Sequence, residues 1–170
     1  MPALPYRMLS ISPTTPCTLV YRTRFTTVHC DGFLNWNSSL SNYTIMHTPY
    51  GRDLYGELAA ALRRKEMRVG AYVCPSLWNN DLYWAPDALT ALGPVCRPNY
   101  SPAANASLWQ AYLTHLHGLV GELADQYAPD AFWFDCVNSP PAADTRLEQV
   151  LGTIRGANSE AVINTRGGVL

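Results

Sequence analysis

The sequence predicts an α/β fold built on a parallel sheet. Short apolar runs alternate with segments of helical periodicity in the order β, α, β, α, β, α, β, with no internal repeat. One run, Ala-Phe-Trp-Phe at 131–134, is too short and too apolar to be anything but a buried strand, and it delivers a carboxylate, Asp135, at its end. The other strand candidates also end in residues with chemical handles, which suits the carboxyl edge of a parallel sheet. Four βα units suffice either for a small doubly wound sheet or for half of an eight-stranded barrel, which normally needs at least about 200 residues.

Residues 1–20 carry no periodic signal and are expected to form an irregular lead-in, leaving 21–170 as the folded unit. Residues 21–29 are β-branched and aromatic enough for a first strand, although Arg22 and Arg24 make it unusually charged and open to distortion. Asp31-Gly32 and the Asn and Ser residues of 35–42 mark a long polar loop. Asp53 is a candidate N-cap for a helix with Leu54, Leu58, Ala61 and Leu62 on one face, and Arg63, Arg64 and Lys65 complement its C-terminal dipole. A compact apolar strand at 67–74 ends at Pro75, before a Trp-, Asn- and Pro-rich stretch over 76–104.

The strongest helix spans 107–127, with Leu108, Ala111, Tyr112, Leu116, Leu119, Val120 and Leu123 at helical spacing. The strand at 131–135 follows, then a third helix at 144–156 and a last strand at 161–164. His115 and His117 fall on the long helix and are expected to be surface or packing residues.

Composition narrows the function classes. In 170 residues, 48% hydrophobic and 15% charged content is that of a globular chain with a real core. A net charge of −1 leaves no electrostatic footprint for nucleic acid or an anionic membrane, and no apolar run reaches the roughly 20 residues of a membrane span. The opening residues lack the apolar centre of a secretory signal. Cys17, Cys30, Cys74, Cys96 and Cys136 contain no Cys-x-x-Cys pair, which argues against a zinc site. Four glycosylation sequons, at Asn37, Asn42, Asn99 and Asn105, tilt the chain toward the secretory route.

The strand ends supply His29, Cys30 and Asp31, then Tyr72 and Cys74, then Trp133 and Asp135, and finally Asn164 and Arg166. On one rim of a parallel sheet these make a pocket of His, Tyr, Trp, Asp and Arg. Asp135 is then either a catalytic carboxylate or a cap on the following loop.

Residues 29–38, His-Cys-Asp-Gly-Phe-Leu-Asn-Trp-Asn-Ser, resemble the His-His-Asp-Gly-Phe…Trp…Ser motif of α-L-fucosidases, glycoside hydrolase family 29. Pro-Tyr-Gly-Arg-Asp-Leu at 49–54 looks like the segment that opens the next helix in that family. Gly-Ala-Tyr-Val-Cys at 70–74 is similar to its Gly-x-Tyr-Tyr-Ser strand. Pro-Asp-Ala-Phe-Trp-Phe-Asp at 129–135 resembles its nucleophile strand, and Val-Ile-Asn-Thr-Arg at 162–166 its Asn-Asp-Arg strand. The matches run in family order over residues 25–168.

The resemblance implies a partial (β/α)8 barrel of about four βα units, the second to the fifth, from a retaining glycoside hydrolase that removes terminal α-L-fucose. Such enzymes pair a nucleophilic carboxylate with an acid/base about 5–5.5 Å away. By resemblance Asp135 is the nucleophile, Trp133 packs against the sugar, and His29 hydrogen-bonds its hydroxyls. Tyr72 steadies Asp135, Trp36 and Cys30 line the sugar pocket, and Arg166 orients the nucleophile or the sugar. The implied substrate is a fucosylated glycan, with no metal or cofactor, in a lysosomal or secreted protein.

Two departures stand out. Cys30 occupies the position of the motif's second histidine, where a thiol is a poor donor to a sugar hydroxyl. No His-Trp-Gly segment precedes residue 21, and no convincing acid/base follows Arg166, since Glu160 lies before the last strand. Impaired turnover is therefore expected. The alternative is a degenerate, non-catalytic fold that binds a sugar or another partner.

Overall fold

The structure, a computed structural model, describes residues 22–83, 106–135 and 142–165. Four strands, β1 (Arg22–Val28), β2 (Arg68–Val73), β3 (Ala131–Phe134) and β4 (Val162–Thr165), form one sheet in the order β1-β2-β3-β4, each neighbouring pair parallel. Helix α1 (Leu54–Arg63) lies between β1 and β2, α2 (Ala106–Tyr127) between β2 and β3, and α3 (Ala142–Thr145) and α4 (Leu151–Ala157) between β3 and β4. A doubly wound sheet reverses its strand order at a switch point, whereas a barrel lays each new strand beside the last. The unreversed order is that of a partial α/β barrel.

The sheet has two chemically different faces because side chains alternate along each strand. On the helix side, Val69, Ala71, Val73, Phe132 and Phe134 are buried and form the core with α1, α2 and α4. Burying each phenylalanine contributes about 1.5–3 kcal/mol. The opposite, barrel-interior face carries Arg24, Gly70, Ala131, Trp133 and Asn164, which line a concavity of about 480 Å³.

The two arginines do not distort β1 where it pairs with β2. Arg24 is exposed on the interior face and crosses over Gly70, with its guanidinium carbon 4.1 Å from the centre of the Trp133 ring. A Cβ at residue 70 would stand 2.9 Å from Arg24 Cγ, so glycine is what lets the arginine pass. The one irregularity of β1 is a register shift between Thr26 and Val28, where Thr27 bulges inward and its hydroxyl donates to the Tyr72 carbonyl at 2.7 Å.

Asp53 caps α1 as expected, its Oδ1 accepting from the Gly56 amide at 2.9 Å while Oδ2 accepts from the Tyr127 hydroxyl at 2.7 Å. The buried face of α1 is Tyr55 and Ala59, one position round from the expected leucine stripe. Tyr55 wins the core because its ring packs between Phe25 and Tyr127, at centroid distances of 6.0 and 5.0 Å. On α2, Trp109 and Leu113 occupy the core, Leu108 is half-buried and Ala111 is exposed.

The expected third helix is broken. Arg146 adopts a left-handed φ of 48°, which ends α3 before a 3-10 turn, Leu147–Val150, leads into α4. Asn37 and Asn42 are exposed. The lead-in at 1–20, the greater part of the 76–104 stretch, the sequons at Asn99 and Asn105, and Cys136 and Arg166 lie outside the described residues. No helix among the described residues is long and apolar enough to cross a membrane.

Candidate active site

The carboxyl edge of the sheet brings three of the expected residues together. Asp135 leaves β3 with its amide still donating to the Val73 carbonyl at 3.1 Å, so its backbone is held in the parallel ladder. Its Oδ2 accepts from the Tyr72 hydroxyl at 3.0 Å. The imidazole of His29, exposed at the end of β1, lies flat against the Tyr72 ring, with centroids 5.7 Å apart and planes inclined by 4°. Register explains the convergence, because Tyr72 pairs with Trp133 and therefore points to the same face as Asp135 two residues on. Trp133 is half-buried on that face, its ring covered by Arg24, and Asn164 pairs with it from β4.

Trp36 and Cys30 are placed elsewhere. Trp36 is 0% exposed and its indole N–H donates to Oε2 of Glu122 at 3.2 Å, so it anchors the loop in the core. An indole needs one acceptor when buried, and α2 supplies a carboxylate. Cys30 is buried as well, with its Sγ 2.9 Å from Sγ of Cys74.

The loop after β1 is shaped by defined contacts. The Gly32 amide donates to the His29 carbonyl at 2.9 Å in a turn with φ of +74° at Gly32. The positive φ favours glycine at residue 32, and any Cβ there would also have to push aside the Asn79 carboxamide, whose Oδ1 would lie 1.7 Å away. Leu34 and Thr44 then form a bridge.

Sequence reasoning missed Glu122, the residue that fastens this loop to α2. Besides Trp36, its carboxylate accepts from the Ser38 hydroxyl at 2.5 Å, the Ser39 amide at 2.7 Å and the Ser39 hydroxyl at 2.6 Å. Burial pushes its pKa up, but these hydrogen bonds outweigh burial and hold the carboxyl below its ordinary range. The available signal was an acidic residue between Leu119 and Leu123, beside the core stripe of a helix.

The loop after β2 is fixed similarly. The Tyr112 hydroxyl donates to the Pro75 carbonyl at 2.5 Å and accepts from the Leu77 amide at 3.1 Å. His117 pairs through Nε2 with the Thr145 carbonyl at 2.8 Å, which is the packing role expected of it. His115, half-buried, joins Gly32, Ser41, Asn79 and Asn80 around a second concavity of about 400 Å³.

A carboxylate steadied by a tyrosine, at the carboxyl edge of an unreversed parallel βα sheet, defines a partial α/β barrel of the kind that carries active sites at its strand ends. The family model described as Alpha-L-fucosidase matches residues 21–169, and the chain belongs to that family. The tissue alpha-L-fucosidase of Mus musculus is 42% identical over 59 residues, which are 34% of this chain and 13% of that protein. Among solved structures, alpha-L-fucosidase isoenzyme 1 from Paenibacillus thiaminolyticus superposes with a TM-score of 0.70 at 28% identity, covering 87% of this chain and 35% of that one. A GH29 alpha-L-fucosidase from Bacteroides thetaiotaomicron, described as a trapped covalent intermediate with 2-fluoro-fucosyl fluoride, gives 0.66 at 25% identity, covering 83% and 30%. The chain thus spans about a third of the length of these solved relatives.

Proposed function

We propose that Asp135 is the nucleophile of a retaining site that cleaves terminal α-L-fucose from glycans. Its carboxylate attacks the anomeric carbon and forms a glycosyl ester as the glycan leaves as an alcohol. Water then hydrolyses the ester, returning the carboxylate and free fucose. The observation that carries this reading is the Tyr72 hydroxyl on Asp135 Oδ2 at 3.0 Å, with His29 stacked behind it. A phenol in that position fixes the carboxylate rotamer toward the cleft, which is the positioning a nucleophile needs. The covalent intermediate described for the Bacteroides relative supports the same chemistry here.

In this account His29 donates to fucose hydroxyls and Trp133 offers an apolar surface to the sugar, with Arg24 displaced from the ring or recruited to a hydroxyl. Arg166, outside the described residues, orients the nucleophile or the sugar. The four sequons and the likeness to tissue alpha-L-fucosidases support a reading in which the protein travels the secretory route, to lysosome or exterior, with residues 21–170 as one partial barrel domain. General-acid help is worth about 10²–10⁴-fold in rate, so an aryl fucoside, whose leaving group needs little protonation, is the substrate that isolates the role of Asp135.

The test pairs calorimetry with turnover. L-Fucose should bind saturably, His29→Ala should weaken binding at least about tenfold (~1.4 kcal/mol), and Asp135→Asn should abolish release of an aryl alcohol from an α-L-fucoside. The absence of both binding and release would contradict the proposal. The burial of Cys30, where the motif has histidine, favours a second reading as a non-catalytic sugar binder, for which the same experiment gives binding without release.

A further inference from the structure

We propose that Cys30 and Cys74 are a disulfide-forming pair that cross-links the carboxyl ends of β1 and β2 beside the candidate site. Their sulfurs stand 2.9 Å apart, and both residues are buried. A disulfide bond is about 2.05 Å long, so roughly an ångström of sulfur movement completes it.

The backbone already holds the two residues in place. The Cys74 amide donates to the Val28 carbonyl at 3.1 Å, and the Trp78 amide donates to the Cys30 carbonyl at 2.7 Å. Val28 and Val73 are paired at the strand ends, and Cys74 follows its strand's last pair by one residue while Cys30 follows by two. The cysteines are 44 residues apart in sequence, and the link would close the loop that contains α1. It would also pin His29, next to Cys30, against Tyr72, which lies two residues before Cys74.

The chemistry is thiol–disulfide exchange with a small-molecule disulfide such as oxidised glutathione, in the folding chain before β1 and β2 close over the sulfurs. One cysteine thiolate attacks a glutathione sulfur and displaces a glutathione thiolate, leaving a mixed disulfide. The second thiolate attacks the cysteine sulfur of that mixed disulfide and expels the other glutathione. Two protein thiols become one cystine, and one oxidised glutathione becomes two thiols, so electrons and protons balance.

The chain should be refolded with reduced and oxidised glutathione, acid-quenched, capped with N-ethylmaleimide in denaturant, digested and mapped by mass spectrometry. The expected result is one cross-linked pair joining the Cys30 and Cys74 peptides, two hydrogens lighter than their sum and separated by reductant. In Cys30→Ser, Cys74 should instead carry the maleimide. Three results would overturn the proposal: maleimide on both cysteines of the wild type, a persistent glutathione adduct on either, or a link from either to Cys17, Cys96 or Cys136. This readout is independent of fucose binding or hydrolysis, so its failure would leave the proposed function untouched.

Discussion

The hydroxyl of Tyr72 donates to Oδ2 of Asp135 across 3.0 Å, tying the ends of β2 and β3 together at the sheet's carboxyl edge. Hydrogen bonds to charged groups contribute about 1.5–3 kcal/mol. Tyr72→Phe keeps the ring that His29 stacks on and removes only this bond. It is expected to slow covalent labelling of Asp135 by a fluorofucoside about tenfold to a hundredfold. A labelling rate equal to that of the wild type would show that Tyr72 is merely part of the barrel wall.

Glu122 gathers the loop after β1 through Trp36, Ser38 and Ser39. Glu122→Gln cannot satisfy the same donors and should destabilise the chain by about 1–3 kcal/mol. Hydrogen exchange of the amides at 36–40 should rise in parallel.

The same carboxylate sets an acid dependence. Its folded pKa is depressed, so its stabilising contribution is fully present above the unfolded value, about 4.3. That contribution fades as pH falls from there through the lower folded value. The stability gap between wild type and Glu122→Gln, measured by denaturant titration, should be constant from pH 7 to about 5.5 and should shrink in more acid solution. A gap that widened on acidification would contradict this.

Tyr55 is buried, and its hydroxyl finds no hydrogen-bond partner among the described residues. Burial also pushes its pKa well above the ordinary phenol range. An unsatisfied buried hydroxyl costs about 1–3 kcal/mol, whereas the ring earns its place by packing on Phe25 and Tyr127. Tyr55→Phe should therefore be neutral or stabilising in chemical denaturation, and a loss of more than about 1 kcal/mol would reveal a partner for the hydroxyl.

The βα alternation was legible because each strand and helix carries its own periodicity, and the observed strands fall within one or two residues of expectation. Residues whose roles depend on a distant partner were harder to read. Arg24 looked like a defect in a buried strand, yet Gly70 on the neighbouring strand gives it passage to Trp133. Trp36 looked like a pocket wall because its motif position said so, while its burial depends on a carboxylate 86 residues away. The break at Arg146 has no local sequence signature, since neither glycine nor proline marks it. Asp135 and Tyr72 were readable together because parallel register carries both to one face.

The central claim, that Asp135 is the nucleophile, is tested most directly by incubating the chain with 2-fluoro-fucosyl fluoride and mapping the product by mass spectrometry. Fluoride departs without general-acid help, so the first step is independent of the acid/base. The account predicts one fluorofucosyl adduct, on the peptide containing Asp135, absent in Asp135→Asn. An adduct on any other residue, or an unlabelled chain that still binds L-fucose, would contradict it.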